Sequence, residues 1–278
     1  MADPIIKWVG GKRQLLKEIT NKIPENYNSY YEPFVGGGAV FLNQFNKNQR
    51  VIINDSNIQL INIYQQIKKN PQNVIQYLDT YQNIYNQYPE QQLEFYYQQR
   101  NLFNRCLQNE ELTAESASLF IFLNKTGFNG LYRVNKAGLY NVPSAHRKKI
   151  NLYNEQNLLD VSEILKNVEI RQGDFVEACK DAKAGDFIFF DSPYFNTFDT
   201  YQANGFSEND HIRLANLFSE LTNKGIYCLE TNSNTDFIKE LYKDFDIGVV
   251  QVKRMINADA NNRTGTEVII TNYALCNA

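Results

Sequence analysis

Phe187-Ile188-Phe189-Phe190-Asp191-Ser192-Pro193-Tyr194 begins with four successive apolar residues and then breaks at an acid, a turn and an aromatic ring. Apolar residues at successive rather than alternating positions suit a strand covered on both faces, as in a largely parallel sheet. Similar short runs occur at Tyr30 to Phe34, Val51 to Ile53, Val168 to Ile170, Ile226 to Leu229, Ile247 to Val252 and Val268 to Ile270. Between them, helical periodicity is expected over Gln14 to Ile23, Ile58 to Lys68, Glu155 to Leu165, His211 to Leu221 and Phe237 to Tyr242. This alternation predicts an α/β protein, with a mixed sheet of about seven strands and helices on both sides.

In an open α/β sheet, ligands bind beyond the carboxyl ends of the strands. Asp191 stands at such an end. Its carboxylate and the carbonyl of Ser192 can together accept both N–H bonds of a planar amine. An amine conjugated to a ring is a poor nucleophile, and holding it this way favours a tetrahedral nitrogen with an available lone pair. Pro193 shapes the turn, and Tyr194 offers a face on which an extruded base can stack.

A second motif, Tyr31-Glu32-Pro33-Phe34-Val35-Gly36-Gly37-Gly38-Ala39-Val40-Phe41, follows a strand and opens a helix. Gly36 and Gly38 allow tight turns and a close approach of backbone to ligand. It is not a complete dinucleotide fingerprint, because Phe41 stands where the third glycine would be. Nor is it a Walker A loop, since no Gly-Lys-Ser/Thr follows. Asp55 ends the next apolar run and can accept hydrogen bonds from two ribose hydroxyls. Loop and acid together point to an adenosine-type cofactor without a pyrophosphate. A third cluster, Lys7-Trp8-Val9-Gly10-Gly11-Lys12-Arg13, precedes a helix and suits either a capped helix start or a ligand-facing edge.

The strand–helix texture is interrupted from about Pro71 to Asn154, where Gln, Asn and Tyr become dense. Leu93, Tyr96, Tyr97, Leu102 and Phe103 recur at near-helical spacing, so the stretch reads as an ordered, mostly helical insertion closing in a turn-rich segment. We therefore expect residues 1–56 and 155–278 to form the sheet domain and residues 57–154 an inserted one. Ser116 to Asn154 contains no Asp or Glu but holds Lys125, Arg133, Lys136, Arg147, Lys148 and Lys149. Within a chain of net charge -3, such an island is an electrostatic footprint for phosphate, or else a solvated basic face. The interleaved Phe128, Tyr132 and Tyr140 and the amides of Asn124, Asn129 and Asn135 favour nucleic acid, since such groups stack on bases and read their edges.

Composition removes other classes. The four cysteines and two histidines are scattered, which suggests neither a disulfide framework nor a metal site. No apolar run approaches the roughly 18 residues of a membrane span, and Met1-Ala2-Asp3-Pro4 does not resemble a signal peptide. A cytoplasmic protein is expected.

These motifs, in this order, resemble the Dam-type (D12 class) DNA adenine-N6 methyltransferases. The likeness extends through Asn54-Asp55, Phe128-Asn129-Gly130-Leu131-Tyr132-Arg133, Asn141-Val142-Pro143 and Glu267-Val268-Ile269-Ile270-Thr271-Asn272-Tyr273. It implies a Rossmann-like fold that binds S-adenosylmethionine and releases S-adenosylhomocysteine. The implied cofactor contacts are Trp8, Lys12, Glu32, Pro33, Phe34, Gly36, Gly38, Asp55 and Asp191, with Asp174 and Phe175 flanking the adenine. The resemblance makes the insertion a target-recognition lobe for double-stranded DNA, its Phe128 to His146 segment forming a loop and hairpin that enters the duplex. The residues expected to meet DNA are Asn129, Arg133, Asn135, Pro143, His146, Arg147 and Arg254. No metal is required, because a sulfonium already activates its methyl group.

Two departures mark this chain. Ser192 stands where the family's usual tetrapeptide has Pro; the role there belongs to a backbone carbonyl, which Ser retains. After Pro143, Ser144-Ala145-His146 intervene before Arg147, whereas family members acting on GATC carry an aromatic residue and Gly-Arg directly. The expected activity is site-specific methylation of adenine N6 at GATC or a related site, by a monomer that acts alone or beside a restriction endonuclease. The alternatives are an RNA or protein-amide N-methyltransferase, and a DNA-binding protein with a decayed cofactor site.

Overall fold

The computed structural model describes residues 2–195, 205–253 and 264–274, with only the backbone at Arg13, Lys253 and Thr264. In chain order its elements are α1 (Leu16–Thr20), β1 (Ser29–Glu32), α2 (Ala39–Gln44), β2 (Arg50–Asp55), α3 (Ile58–Lys69), α4 (Pro71–Gln87), α5 (Gln92–Gln108), α6 (Ala114–Thr126), α7 (Glu155–Leu165), β3 (Val168–Gln172), α8 (Phe175–Ala178), β4 (Phe187–Phe190), α9 (Glu208–Asn223), β5 (Tyr227–Ser233), α10 (Asp236–Leu241), β6 (Asp246–Lys253) and β7 (Thr264–Thr271).

The strands form one seven-stranded sheet in the order β3-β2-β1-β4-β5-β7-β6. Pairing is parallel from β3 to β5, and β7 runs antiparallel between β5 and β6. Each of the seven apolar runs falls on a strand or overlaps one, the first running past β1 to Phe34, and on the inner strands neighbouring residues enter different cores. Tyr30, Val51, Ile53, Phe187, Phe189, Leu229 and Ile269 face one core with α3, α6 and α7. Tyr31, Ile52, Ile188, Phe190, Cys228, Val268 and Ile270 face the other, with α9 and α10. Cover on both faces is why the runs of the inner strands are continuous, whereas the edge strands β3 and β6 carry exposed positions such as Glu169 and Val249.

The chain leaves β1 for β2 on one side, and β4 pairs with β1 on the other. The carboxyl ends of β1 and β4 therefore flank a topological switch point, the place where such sheets open a crevice for ligands. The glycine loop follows β1 and the Asp191 tetrapeptide follows β4, so both motifs converge there.

Between β2 and β3, helices α4, α5 and α6 interrupt the sheet. Asn70 caps α4 through its side chain with Pro71 at the first turn, and Thr113 and Ser116 form a capping box on α6. From Ser116 to Asn124 every residue of α6 is buried, as expected of a helix at the centre of a lobe. The tyrosines that give this stretch its unusual composition are core residues: Tyr81, Tyr85 and Tyr96 pack their rings against Phe122.

One predicted helix is shorter than expected. Gln14 to Ile23 is a 3-10 turn over Lys12–Gln14 followed by the five-residue α1. Leu15 leaves helical geometry (φ -96°, ψ 2°) between them, and Pro24 disfavours helix in the residue before it.

Candidate active site

The glycine loop is built against Trp8. Gly36 and Gly38 adopt φ of 47° and 76°. A Cβ at Gly36 would stand 2.5 Å from Trp8 Cδ1, so position 36 needs glycine for conformation and for space alike. The Gly36 N–H donates to Asp55 Oδ2 (3.1 Å), and the Asn57 N–H donates to Asp55 Oδ1 (2.9 Å). The Tyr64 hydroxyl donates to the Gly36 carbonyl at 2.8 Å. Burial pushes the Asp55 carboxyl up to about 6, against the backbone donors of Asn57, Gly36 and Ser56. Asn54 joins the ends of three strands, donating to the carbonyls of Pro33 (2.9 Å) and Gly173 (3.1 Å).

Beyond the loop stands an aromatic wall. The Phe34 ring lies 5.3 Å from Phe175 and 5.7 Å from Phe206, and Phe175 lies 5.9 Å from Phe206. Asp174 caps α8 by accepting from the Val176 N–H (2.9 Å) and also pairs with Arg213 (2.9 Å). The Arg213 guanidinium lies 5.0 Å from the centre of the Phe175 ring. Neither Phe206 nor Arg213 was singled out from the sequence; both reach the wall through α9 and the residues before it.

At the end of β4, Asp191 accepts an ion pair from Lys12 and a hydrogen bond from the Thr231 hydroxyl (3.0 Å), both on Oδ1. Lys12 also donates to the Gly10 carbonyl (2.6 Å) and lies 4.6 Å from the centre of the Tyr194 ring. The Tyr194 hydroxyl donates to Glu267 Oε2 at 2.7 Å. Burial raises the Asp191 carboxyl above its ordinary range, while Lys12 and Thr231 draw it down. Glu32, a neighbour in the same crevice, accepts from the Tyr30 hydroxyl at 2.5 Å. Burial pushes its carboxyl up to about 8, with Tyr30 opposing. Several carboxyl groups thus share a buried crevice with one lysine, which suits a cationic ligand.

Thr231, Asn232 and Glu267 are further site residues to which the sequence alone assigns no role. Their signal was present but indirect: apolar β5 turns polar at Glu230-Thr231-Asn232-Ser233, and β5 lies beside β4. Glu267 is brought in because β7 pairs with β5, placing it opposite Ser233.

In the lobe, Phe128 is exposed and Asn129 takes a left-handed turn (φ 55°) in the 3-10 segment Phe128–Gly130. A short hairpin follows, bridged between Val134 and Tyr140. The Arg133 guanidinium donates to Asn141 Oδ1 (2.7 Å), and Asn135 Oδ1 caps the hairpin turn by accepting from Ala137 and Leu139. Pro143 and His146 lie exposed on the irregular segment leading away, with His146 at φ 50°, and Arg147, Lys148 and Lys149 are exposed beyond it. Arg254 lies outside the described residues.

Three of the groups expected to read or stack on bases instead hold the structure together. Asn124 is buried and clamps Lys7 to Gly130, donating to both carbonyls and accepting from the Lys7 N–H. Tyr140 is buried with its hydroxyl donating to the Leu131 carbonyl (3.1 Å). Tyr132 stacks on Trp8 (centroids 6.0 Å, 27°), which joins the Val134–Tyr140 hairpin to the glycine loop. For Asn124 and Tyr140, a polar side chain satisfies backbone that would otherwise be buried unpaired.

Residues 8–256 match the sequence model of the D12 class N6 adenine-specific DNA methyltransferases. The chain is 38% identical to the Type II methyltransferase M1.LlaDCHI of Lactococcus lactis subsp. cremoris, covering 97% of this chain and 95% of that protein. It is 39% identical to the Type II methyltransferase M.MjaIII of Methanocaldococcus jannaschii, covering 97% and 99%. The DNA adenine methylase of Salmonella typhi is 31% identical over 96% of this chain and 94% of its own length.

Proposed function

Because the chain belongs to the D12 class of N6 adenine-specific DNA methyltransferases, we propose that its crevice binds S-adenosylmethionine and presents the methyl group to a flipped adenine held by Asp191, Ser192, Pro193 and Tyr194. DNA adenine, rather than an RNA base or a protein amide, is the acceptor of this family, and the chain is an enzyme.

The residues fit the cofactor. The aromatic wall of Phe34, Phe175 and Phe206 suits an adenine ring, and Asp55 can accept from the ribose hydroxyls. Gly36 and Gly38 let the loop turn tightly against Trp8, Phe41 and Tyr64, which holds its backbone in place beside the crevice. Glu32, Asp55 and Asp191 are carboxyls that burial makes reluctant to ionise, and a sulfonium with its ammonium would relieve them. When bound, the cofactor supplies an activated methyl group.

The chain's own residues do the rest. Tyr194, braced by Glu267, gives the base a stacking face. Asp191 and the Ser192 carbonyl take the two N–H bonds of the amine, which rehybridises the nitrogen toward the methyl. Lys12 and Thr231 grip Oδ1 and fix the carboxylate's direction before substrate arrives, so catalysis is mainly positioning and electrostatics. A carboxyl whose pKa burial has raised is also the better acceptor for the proton that N6 must shed.

We assign target recognition to the lobe of residues 57–154, with Asn129, Arg133, Asn135, Pro143, His146 and Arg147, and with Arg254 from the catalytic part. The target is GATC or a related site. The two relatives named Type II methyltransferases make pairing with a restriction endonuclease the favoured context. Among the described residues no helix is long and apolar enough to cross a membrane. A monomer working on DNA in the cytoplasm completes the reading.

The observation that carries this assignment is the Lys12–Asp191–Thr231 arrangement at the end of β4, beside Tyr194. Incubation with S-adenosylmethionine and duplex DNA, followed by mapping of modified bases, tests it. Methyl groups on adenine N6 that vanish with Asp191→Ala are expected; undiminished transfer by that variant removes Asp191 from the chemistry.

A further inference from the structure

Two acceptors, the Asp191 carboxylate and the Ser192 carbonyl, must keep a fixed relation for an amine to meet both. Pro193 restricts the backbone of the residue before it. Ser192 has no ring to fix its own φ, so the turn needs a restraint from outside. Strand β5 supplies one. Asn232, fully buried, donates through Nδ2 to Glu230 Oε1 (3.0 Å) and approaches Ser192 Oγ at 3.4 Å. Its Oδ1 accepts from the Phe195 N–H (3.1 Å) and the Ser233 N–H (2.8 Å), while Ser233 Oγ donates to the Phe195 carbonyl (2.9 Å). One side chain thus reaches both ends of the segment from Ser192 to Phe195.

Glu230 sits behind this grip with no exposure at all, an expensive place for a carboxyl. Among the described residues neither its Oε2 nor the Tyr242 hydroxyl has a partner of full hydrogen-bond geometry, and the two lie close enough for the hydroxyl to act on the carboxyl. Burial pushes the Glu230 carboxyl up to about 7, against the Tyr242, Asn232 and Ser192 side chains, which hold it down, and with Asp191 adding to the rise.

Resting on the methyltransferase reading, we propose that Asn232, oriented by Glu230, is a positioning residue that clamps the Ser192–Phe195 backbone and so aims the Ser192 carbonyl at the amine. The clamp does for Ser192 what a proline ring does by fixing φ.

Steady-state kinetics with duplex DNA, beside calorimetric binding of S-adenosylhomocysteine, provide the test. Asn232→Ala should lower kcat by about tenfold or more, the effect of losing a buried hydrogen-bonded restraint, with KM for S-adenosylmethionine unchanged. Adding Ser192→Pro to that variant should raise kcat again. A wild-type kcat for Asn232→Ala, or no gain from the added proline, overturns the clamp. If Asn232→Ala does not fold, the single variants decide. Ser192→Pro should turn over faster than Ser192→Ala although both lack the hydroxyl, and alanine equalling or beating proline refutes the idea. Wild-type transfer in the same assay checks the methyltransferase reading by itself, so the two failures look different.

Discussion

Lys12 and Thr231 meet Asp191 on the same carboxylate oxygen, Oδ1, from opposite ends of the chain. Lys12 is almost fully buried, so its charge acts on the carboxylate with little screening by water. Burial raises the Asp191 pKa and Lys12 lowers it. In the role we propose for it, as acceptor for the adenine amine, Asp191 works in its ionised form. Activity should therefore fall as pH drops through its pKa. Lys12→Gln should move the acid limb of the kcat/KM profile to higher pH, besides lowering its plateau. A limb at the wild-type pH would show that the ion pair does not tune Asp191.

Gly36 gives a prediction about the cofactor loop. Its φ of 47° is unfavourable for any side chain, and a Cβ would collide with the Trp8 indole. Gly36→Ala should destabilise the fold by about 1–3 kcal/mol and weaken S-adenosylmethionine binding. Because Trp8 also stacks on Tyr132, the displaced indole should disturb the hairpin, lowering affinity for duplex DNA as well. Chemical denaturation and two binding titrations measure the three effects. Normal cofactor affinity in the variant would mean that the loop is not a binding surface.

Glu32 makes stability depend on pH. Its carboxyl is pushed from an ordinary 4.5 up to about 8 in the folded chain, chiefly by burial. Between those values the native protein keeps a proton that the unfolded chain has released. The contribution is thus present in acid and lost as pH rises through that window. Without cofactor, the melting temperature should be lower near about pH 8 than near about pH 5, and Glu32→Gln should shrink the difference. A variant as pH-dependent as the wild type would place the titration elsewhere.

The exposed run Arg147-Lys148-Lys149 follows the hairpin to which we assign target recognition. If these groups touch phosphates, replacing all three by alanine should weaken binding to every duplex alike. Each lost contact should also reduce the slope of log K against log salt by about 0.9. Affinity for S-adenosylmethionine should not change. An unaltered slope would assign the run to a solvated face.

The sequence by itself settled the strand runs, the two motifs at the strand ends and the family. These are local matters. Apolar runs such as Phe187 to Phe190 are continuous because both faces of a strand are covered, and turns such as Gly36 to Gly38 need particular residue types wherever they occur. Some local detail escaped even so: the first helix breaks at Leu15 and ends at Thr20, short of Pro24, although its apolar periodicity runs on to Ile23. The tertiary structure decided which remote groups serve the motifs. Only the order β4-β5-β7 brings Thr231, Asn232 and Glu267 to the Asp191 tetrapeptide, and strand order leaves no mark on residue spacing. The fate of the lobe's aromatic and amide residues was likewise a tertiary matter. Phe128 stays exposed, while Asn124 and Tyr140 turn inward, because backbone buried at the junction of lobe and sheet needs hydrogen-bond partners.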